Sequence, residues 1–299
     1  MSIKNKVLFI INPVSGVKDN HSIAQLISNT LDNHNIKFDI MYTKHHGHAK
    51  DYVHTMDSVL YDSILILGGD GTINEIVNGI LSRKDGYLPI LGFLPGGTGN
   101  SVLHDLGYQD SIVALEPLLS HTINHIDVMS LQFNNLIEYS INILGWGLVA
   151  DIAIFAEKLR FIGQSRYNIA SLYYILQSTA RDCTLILDNT TYFNQYLFIL
   201  VQNTIHTGKG MKAAPHAKLD DGLLDVLIVN KDVNRLQLLS LLSRLSDGSH
   251  IKSEYVEYLQ VSNVELIPKI NEGVNIDGDV KYSTPVKISV LQQKLPIFS

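Results

Sequence analysis

Asp70 sits in the middle of the run Gly68-Gly69-Asp70-Gly71-Thr72, between a strand-like segment and a helix-like one. Glycines without a Cβ let backbone approach a phosphate closely, and a helix N-terminus points N–H groups at it. A carboxylate there would repel phosphate, so its chemistry is better matched to holding Mg²⁺ or accepting a proton from an attacking hydroxyl. The competing structural reading is a tight turn with Asp70 as helix N-cap. Pro95-Gly96-Gly97-Thr98-Gly99-Asn100 repeats the device before another helical pattern, as a second phosphate nest. Asn12-Pro13-Val14-Ser15-Gly16 is a third, weaker loop. Neither GxxxxGK[ST] nor GxGxxG occurs, which excludes the common P-loop and dinucleotide fingerprints.

The elements that must present these loops follow from apolar spacing. Val7 to Ile11, Phe38 to Tyr42, Ile64 to Leu67 and Pro89 to Leu94 read as strands. Ile23, Leu26, Ile27 and Leu31 have helical spacing, as do Ile73, Ile76, Val77 and Ile80. Alternating strands and helices predict a mostly parallel sheet, whose ligands bind beyond the strands' carboxyl ends. All three loops fall at that edge. From about residue 122 the pattern becomes strand-rich: Ile126 to Phe133, Ile137 to Ile143, Thr184 to Leu187, Tyr192 to Val201, Leu223 to Val229 and Glu257 to Pro268. One long helical stretch, roughly Ile154 to Thr179, interrupts these strands, and a second helix follows Asp232.

Length and composition bound the function classes. A chain of 299 residues suggests two domains, and 45% apolar with 17% charged residues is an ordinary globular balance. The net charge of -6 argues against a dedicated nucleic-acid binder. The single cysteine, Cys183, excludes an intrachain disulfide and reads as a buried small residue in a reducing compartment. No signal peptide or transmembrane span is expected, so a lipid substrate would be met from the water side.

Taken together, these runs resemble the diacylglycerol kinase catalytic domain superfamily, which includes bacterial lipid kinases, sphingosine kinases and ceramide kinases. The resemblance is carried by Asn12 to Gly16, the run from Gly68 to Gly79, and Pro95 to Asn100. It continues through Trp146 to Asp151 with Glu157-Lys158, then Pro215 to Gly222, and ends at Asp277-Gly278-Asp279. It implies an α/β fold with a Rossmann-like nucleotide domain over 1–124, which the C-terminal segment 285–299 can rejoin. A β-sandwich lipid-substrate domain over 125–284 follows, with the active site in the cleft between them. ATP and Mg²⁺ are the implied cofactors.

Residue by residue, the resemblance makes Asp70 the essential aspartate, acting as base or through Mg²⁺, with Asp279 in support. The implied nucleotide site comprises Asn12, Ser15, Gly16, Gly68, Gly69, Gly71, Thr72, Glu75, Gly96, Gly97, Thr98, Gly99, Asn100 and Asp277. Thr43 and His48 match a segment near the nucleotide in the sphingosine kinase branch. The histidines around them have no acidic or cysteine partner spaced to complete a metal site, so a solvated loop is the better reading. Arg160 and Arg166 match basic residues on the ATP phosphates, against exposed helix charge as the plain alternative. Asp220 and Asp221, with Asp225, resemble a bacterial acidic cluster tied to structural Mg²⁺, whereas the residues alone read as a turn before a strand.

Two departures bear on the substrate. Asp279 replaces the family's usual Glu and is one methylene shorter. Ala153 stands two positions after Asp151, where sphingosine kinases carry an acidic residue for the lipid's amine. That favours a neutral lipid such as diacylglycerol, phosphorylated on a primary hydroxyl. Sphingoid-base or ceramide kinase, an NAD kinase-like enzyme, and a non-catalytic nucleotide or lipid sensor are the alternatives. The apolar tail is expected against Ile152, Ile154 and Phe155 or the stretch Leu236 to Leu245, where plain core packing is the competing reading. The expected setting is cytoplasmic, peripheral to a membrane, with a homodimer left open and no nucleic-acid partner.

Overall fold

The computed structural model describes residues 6–16, 19–208 and 210–299, apart from the side chains of Arg160, Phe161 and Gln164. Two compact units emerge: Met1–Val128 with Gly208–Gly210 and Gln292–Ser299, and Met129–Thr207 with Met211–Leu291.

In the first unit the chain runs β1 (Lys6–Ile11), α1 (Asn20–Asn33), β2 (Phe38–Tyr42), α2 (His48–Thr55), β3 (Tyr61–Gly68), α3 (Asp70–Leu81), β4 (Ile90–Pro95), α4 (Ser101–Asp105) and α5 (Glu116–Ser120). Val7 to Ile11 and Ile64 to Leu67 have no measurable exposure, as expected of parallel strands covered on both faces. The sheet order is β2-β1-β3-β4, and all three pairings are parallel. Going from β1 the chain steps to one side for β2, then returns past β1 for β3. The order therefore reverses between β1 and β3, which is where open α/β sheets place their ligands. Register brings the loops to one level, because Ile11 pairs with Leu67 and Leu67 with Leu94.

β5 (Ile123–Phe133) leads into the second unit, with β6 (Leu136–Ser140) and β7 (Ile143–Gly147). Next come α6 (Leu148–Lys158), α7 (Arg166–Gln177), β8 (Arg181–Leu187), β9 (Thr190–Gln202) and the short strands β10 (His206–Thr207) and β11 (Met211–Lys212). β12 (Leu224–Asn230), α8 (Arg235–Ser243) and β13 (Val256–Val261) follow. β14 (Asn263–Pro268), β15 (Gly273–Ile276), β16 (Asp279–Ser283) and β17 (Val286–Phe298) complete the chain. The pairings of β9 with β7, β8 and β12 are antiparallel. Alternation along β9 and β12 feeds two cores. Ile199, Val201, Val226 and Ile228 join the core built around Trp146. Leu200, Leu227 and Val229 face the other way, into a core shared with α6, α7 and α8. Both faces are thus covered, which explains why Leu223 to Val229 reads as an almost continuous apolar run.

The structure corrects three element boundaries. The single long helix expected over roughly Ile154 to Thr179 is two helices, because Gly163 adopts φ 70° and ψ -135° and breaks the ladder. The strands expected over Ile137 to Ile143 and Glu257 to Pro268 each resolve into two, with turns at 141–142 and at Ser262. Cys183 is a free, buried cysteine, and burial pushes its thiol up to about 12.

Candidate functional site

The first-unit loops are packed backbone against backbone. A Cβ on Gly97 would stand 2.3 Å from the Gly69 Cα, and one on Gly96 would stand 2.8 Å from the Gly68 nitrogen. A Cβ on Gly16 would lie 2.7 Å from the Gly96 carbonyl oxygen. These glycines are therefore required by loop-to-loop contact. Gly71 differs, because a Cβ there meets nothing within 4 Å. It lies in the first turn of α3, whose cap residue Gly69 offers no side-chain hydrogen bond. An uncapped N-terminus beside an open glycine is suited to an anion.

Asp70 does not cap its own helix. Its Oδ1 accepts the Ser101 backbone N–H at 2.8 Å and its Oδ2 accepts the Ser101 hydroxyl at 3.3 Å. The carboxylate thus serves the start of α4, one strand later, and joins the two glycine loops. Burial pushes its pKa up to about 6, against the lowering effect of those hydrogen bonds. A Cβ on Gly99 would sit 2.6 Å from Asp70 Oδ2, so Gly99 leaves room for the carboxylate. Asn100, at φ 54°, closes its own loop by accepting from the Gly97 N–H and donating to the Gly97 carbonyl, both at 3.0 Å. Thr98 is exposed at the loop tip.

The first loop is fastened to the others by side chains. Asn12 donates through Nδ2 to Thr72 Oγ1 at 2.9 Å, and the Ser15 hydroxyl donates to the Gly96 carbonyl at 2.8 Å. Asn20, fully buried at the start of α1, donates through Nδ2 to the carbonyls of Asn12, Ser15 and Gly96 at 2.9, 3.1 and 3.2 Å. Sequence reasoning missed Asn20 and Ser101. Both are small polar residues opening a helix directly after a loop, and that position is the signal that could have found them.

Glu75 accepts from the N–H groups of Gly47 and Ala49 at 2.8 and 3.2 Å, and His46 lies 3.1 Å from it. It thereby anchors the segment carrying Thr43 and His48 to α3. His48 Nδ1 accepts the Lys44 N–H at 3.1 Å, and the Thr43 N–H donates to the Ile11 carbonyl at 2.9 Å. Among the described residues no group of three or more His, Cys, Asp or Glu is placed to hold a metal.

In the second unit, Asp277 adopts φ 51°, and its Oδ1 accepts from the Ser140 hydroxyl and the Ile143 N–H at 2.7 and 2.9 Å. Asp279 is half-exposed and pairs with Lys281 at 3.0 Å. Arg166 opens α7, 4.0 Å from Glu157, and the Arg160 side chain lies outside the described residues. Asp151 meets Arg181 at 2.5 Å, and Arg181 also reaches Glu272 at 3.2 Å. Ala153 is buried. Asp220 is exposed, and Asp221 accepts the Leu223 N–H at 3.0 Å. Asp225 is buried, bonded to Tyr258 at 2.5 Å, with its pKa pushed up by burial to about 6.

An apolar cavity of about 100 Å³ lies beneath α6, α7 and α8, lined by Val149, Ile152, Ile175, Leu238 and Leu241 among others. The expected tail-contacting segments meet there in part. Ile152 and several leucines of α8 line it, whereas Ile154 is exposed and Phe155 stacks on Tyr173 at 4.9 Å.

Residues 6–131 match the diacylglycerol kinase catalytic domain, and residues 142–299 match the YegS C-terminal NAD kinase beta sandwich-like domain. Sphingosine kinase 1 of Arabidopsis thaliana is 32% identical over 331 residues, covering 92% of this chain and 68% of its own length. The chain belongs to the diacylglycerol kinase family of lipid kinases. The kinase is also 28% identical, over 242 residues, to a diacylglycerol kinase of Staphylococcus epidermidis, covering 80% of this chain and 74% of that one. In fold it matches a diacylglycerol kinase from Bacillus anthracis with a TM-score of 0.75 at 22% identity, over 98% of this chain and 96% of that one. No described helix of the kinase is long and apolar enough to cross a membrane.

Proposed function

We propose that this lipid kinase transfers the γ-phosphoryl group of ATP to a primary hydroxyl of a neutral lipid, diacylglycerol or a close relative. The observation that carries the reading is the placement of Asp70: a carboxylate with its pKa near 6, joined to both glycine loops, at the uncapped start of α3. The open approach at Gly71 and the free helix start are suited to ATP phosphates. Asp70 is the first-unit carboxylate suited to Mg²⁺, which characteristically takes one or two carboxylates and substrate phosphate oxygens and would neutralise charge during transfer.

With its pKa near 6, Asp70 is mostly ionised at pH 7 yet still basic enough to take a hydroxyl proton as the new P–O bond forms. Ser101 holds the carboxylate in one orientation, so little is lost to reorganisation when the substrate arrives. Asn12, Ser15 and Asn20 keep the loops from spreading. Asp277, Asp279, Arg166 and Arg160 are assigned supporting contacts with nucleotide on the basis of family resemblance, and Asp220 and Asp221 a structural Mg²⁺.

Neutral-lipid selection is supported by the second unit. Asp151 is engaged by Arg181, and Ala153 contributes no charge, so an amine-bearing headgroup lacks a free carboxylate at these two positions. The apolar cavity beneath α6, α7 and α8 is the slot for part of an acyl chain. A sphingoid-base reading is favoured by the 32% identity to a plant sphingosine kinase. ADP release with Mg²⁺, measured on dispersed diacylglycerol, monoacylglycerol, ceramide, sphingosine and NAD, decides between them. Turnover on diacylglycerol that disappears in Asp70→Asn is the expected result. Preference for sphingosine overturns the substrate assignment, and turnover on NAD alone overturns the lipid reading.

A further inference from the structure

Strands β9 and β12 carry a cavity on each face. Phe198, Leu200, Leu227 and Val229 line the slot assigned to the lipid tail. On the reverse face a second cavity, of about 280 Å³, lies against β8, β9, β12 and β13. That is just under the ~300–1,000 Å³ typical of sites for drug-sized ligands. Register brings its wall together, because Leu185 pairs with Tyr192, Tyr196 with Asn230, and Ile228 with Glu257. A register shift leaves Leu197 without a partner on β12, a bulge that bends β9 beside the cavity.

The floor of this cavity is apolar, since Leu185, Leu187 and Ile228 belong to the core built around Trp146. What stands above the floor is aromatic and rich in acceptors. Tyr192, Phe193 and Tyr196 supply three rings. Asn230 lines the cavity with its Oδ1 buried and without a hydrogen-bond partner among the described residues. A buried acceptor left unpaired is costly, and a donor from a ligand relieves it. Glu257 is exposed at the mouth, with no ion pair or hydrogen bond to another described residue. Burial, then Cys183 and Glu257, push the Tyr196 phenol up to about 12, so the Glu257 charge is within electrostatic reach of that hydroxyl. No lysine or arginine is among the described residues lining the cavity.

These features select a ligand by its charge and its donors. The Glu257 carboxylate repels an anion, and a purely apolar ligand would leave Asn230 Oδ1 unpaired. An ammonium group with N–H donors answers all three features: an ion pair with Glu257, a hydrogen bond to Asn230, and attraction to the ring faces. Glu257 and Asn230 lie on one face as diagonal cross-strand neighbours, ~7–8 Å apart along the backbone. Their side chains can therefore reach one ammonium between them.

We propose that this cavity is a further ligand site, separate from those assigned to nucleotide and lipid, for a small organic ammonium ion bearing N–H donors. Its alkyl part lies against Tyr192 and Tyr196. The inference goes beyond the lipid-kinase reading and does not depend on which lipid is phosphorylated.

The test titrates the full chain with n-butylammonium chloride, followed by NMR without ATP or lipid. The comparison probes are 1-butanol, which is uncharged, and tetramethylammonium, a cation without N–H donors. The expected result is saturable butylammonium binding with a Kd on the order of 1 mM, reasonable for a probe of about five heavy atoms. Both comparison probes should bind at least about fivefold more weakly. Glu257→Gln should weaken butylammonium binding about tenfold, and Tyr192→Ala several-fold. Both side chains are exposed, so thermal stability should be retained in each variant. Turnover on diacylglycerol should stay within about twofold of wild type in Glu257→Gln, because Glu257 belongs to neither of the assigned sites. No saturable binding by the wild type overturns the inference, as does equal binding of 1-butanol or tetramethylammonium. Binding unchanged in both variants overturns it too. Displacement of butylammonium by long-chain diacylglycerol would place the amine in the lipid slot and also overturns it.

Discussion

The loop edge of the first unit and the helical layer of the second are built on opposite principles. At the loop edge, glycine backbones touch one another, Asn20 and Ser15 tie carbonyls together, and Asp70 is bound to the next loop. Little there can move by an ångström without a clash or a buried group losing its partner. The layer of α6, α7 and α8 encloses a cavity, leaves a stripe of large apolar side chains uncovered and is broken at Gly163. Phosphoryl transfer gains from fixed charges and fixed distances. Accepting a flexible acyl chain requires space and tolerance instead. The comparison teaches that rigidity and looseness have been assigned to different parts of the chain according to the ligand each is proposed to hold.

The sharpest break is at Asp70. Asp70→Asn keeps the size of the side chain but removes its charge and basicity, so turnover should fall by a factor on the order of 10³. ATP affinity, followed by calorimetry, should change far less, and equal losses in both would make Asp70 a binding residue only.

The glycine contacts come next. Gly97→Ala puts a methyl 2.3 Å from the Gly69 Cα, whereas Gly71→Ala puts one into open space. The first should destabilise the protein by about 2–3 kcal/mol, a typical overpacking cost. Gly71→Ala should leave thermal stability nearly unchanged, apart from the modest helical benefit of alanine, and weaken ATP binding. Asn20→Ala belongs beside Gly97→Ala, because it strands several carbonyls and should cost about 1–3 kcal/mol in denaturant unfolding.

A smaller effect is expected in the looser region. Leu238→Trp, filling part of the cavity, should lower kcat/KM on long-chain lipid about tenfold and spare short-chain lipid. Equal losses on both would remove the cavity from substrate binding.

The pH dependence sharpens the comparison most gently. Asp70 must be ionised to act, so activity should fall about tenfold per pH unit below roughly 6 and level off above it. Stability runs the other way. Raised carboxyl pKa values at Asp70 and Asp225 mean that the folded state holds protons that the unfolded chain has released. Their contribution is present below the ordinary carboxylate range and is lost as pH rises through about 6. Thermal unfolding at pH 5 and pH 7 should show this loss reduced in Asp225→Asn.

Much of the framework was legible in the order of residues. Apolar runs place β1 to β4, and β2 lies over Phe38–Tyr42 as the spacing predicts. Parallel strands in register then require the three loops to share one edge, so the neighbourhood of Asn12, Asp70 and Gly97 follows from local pattern plus topology. The motifs also identified the family. These features are readable because they depend on spacing along the chain: period two or 3.6, and glycine where a tight turn is needed.

Other features depend on which atoms meet across long separations. Asp70 can also be read as the cap of its own helix, and only the packed loops turn it towards Ser101, 31 residues away. Asn20 is one more polar residue at a helix start until three carbonyls converge on it. Asp151 carries no sign of Arg181 in its flanking sequence, yet that pairing removes its free charge. Ile169, Leu172, Tyr173 and Leu176 on the outside of α7 have the spacing of a buried face, and it took the tertiary structure to leave them facing water. Periodicity reports that a helix has an apolar side. Whether that side meets core, cavity or solvent is decided by the packing of the rest of the chain.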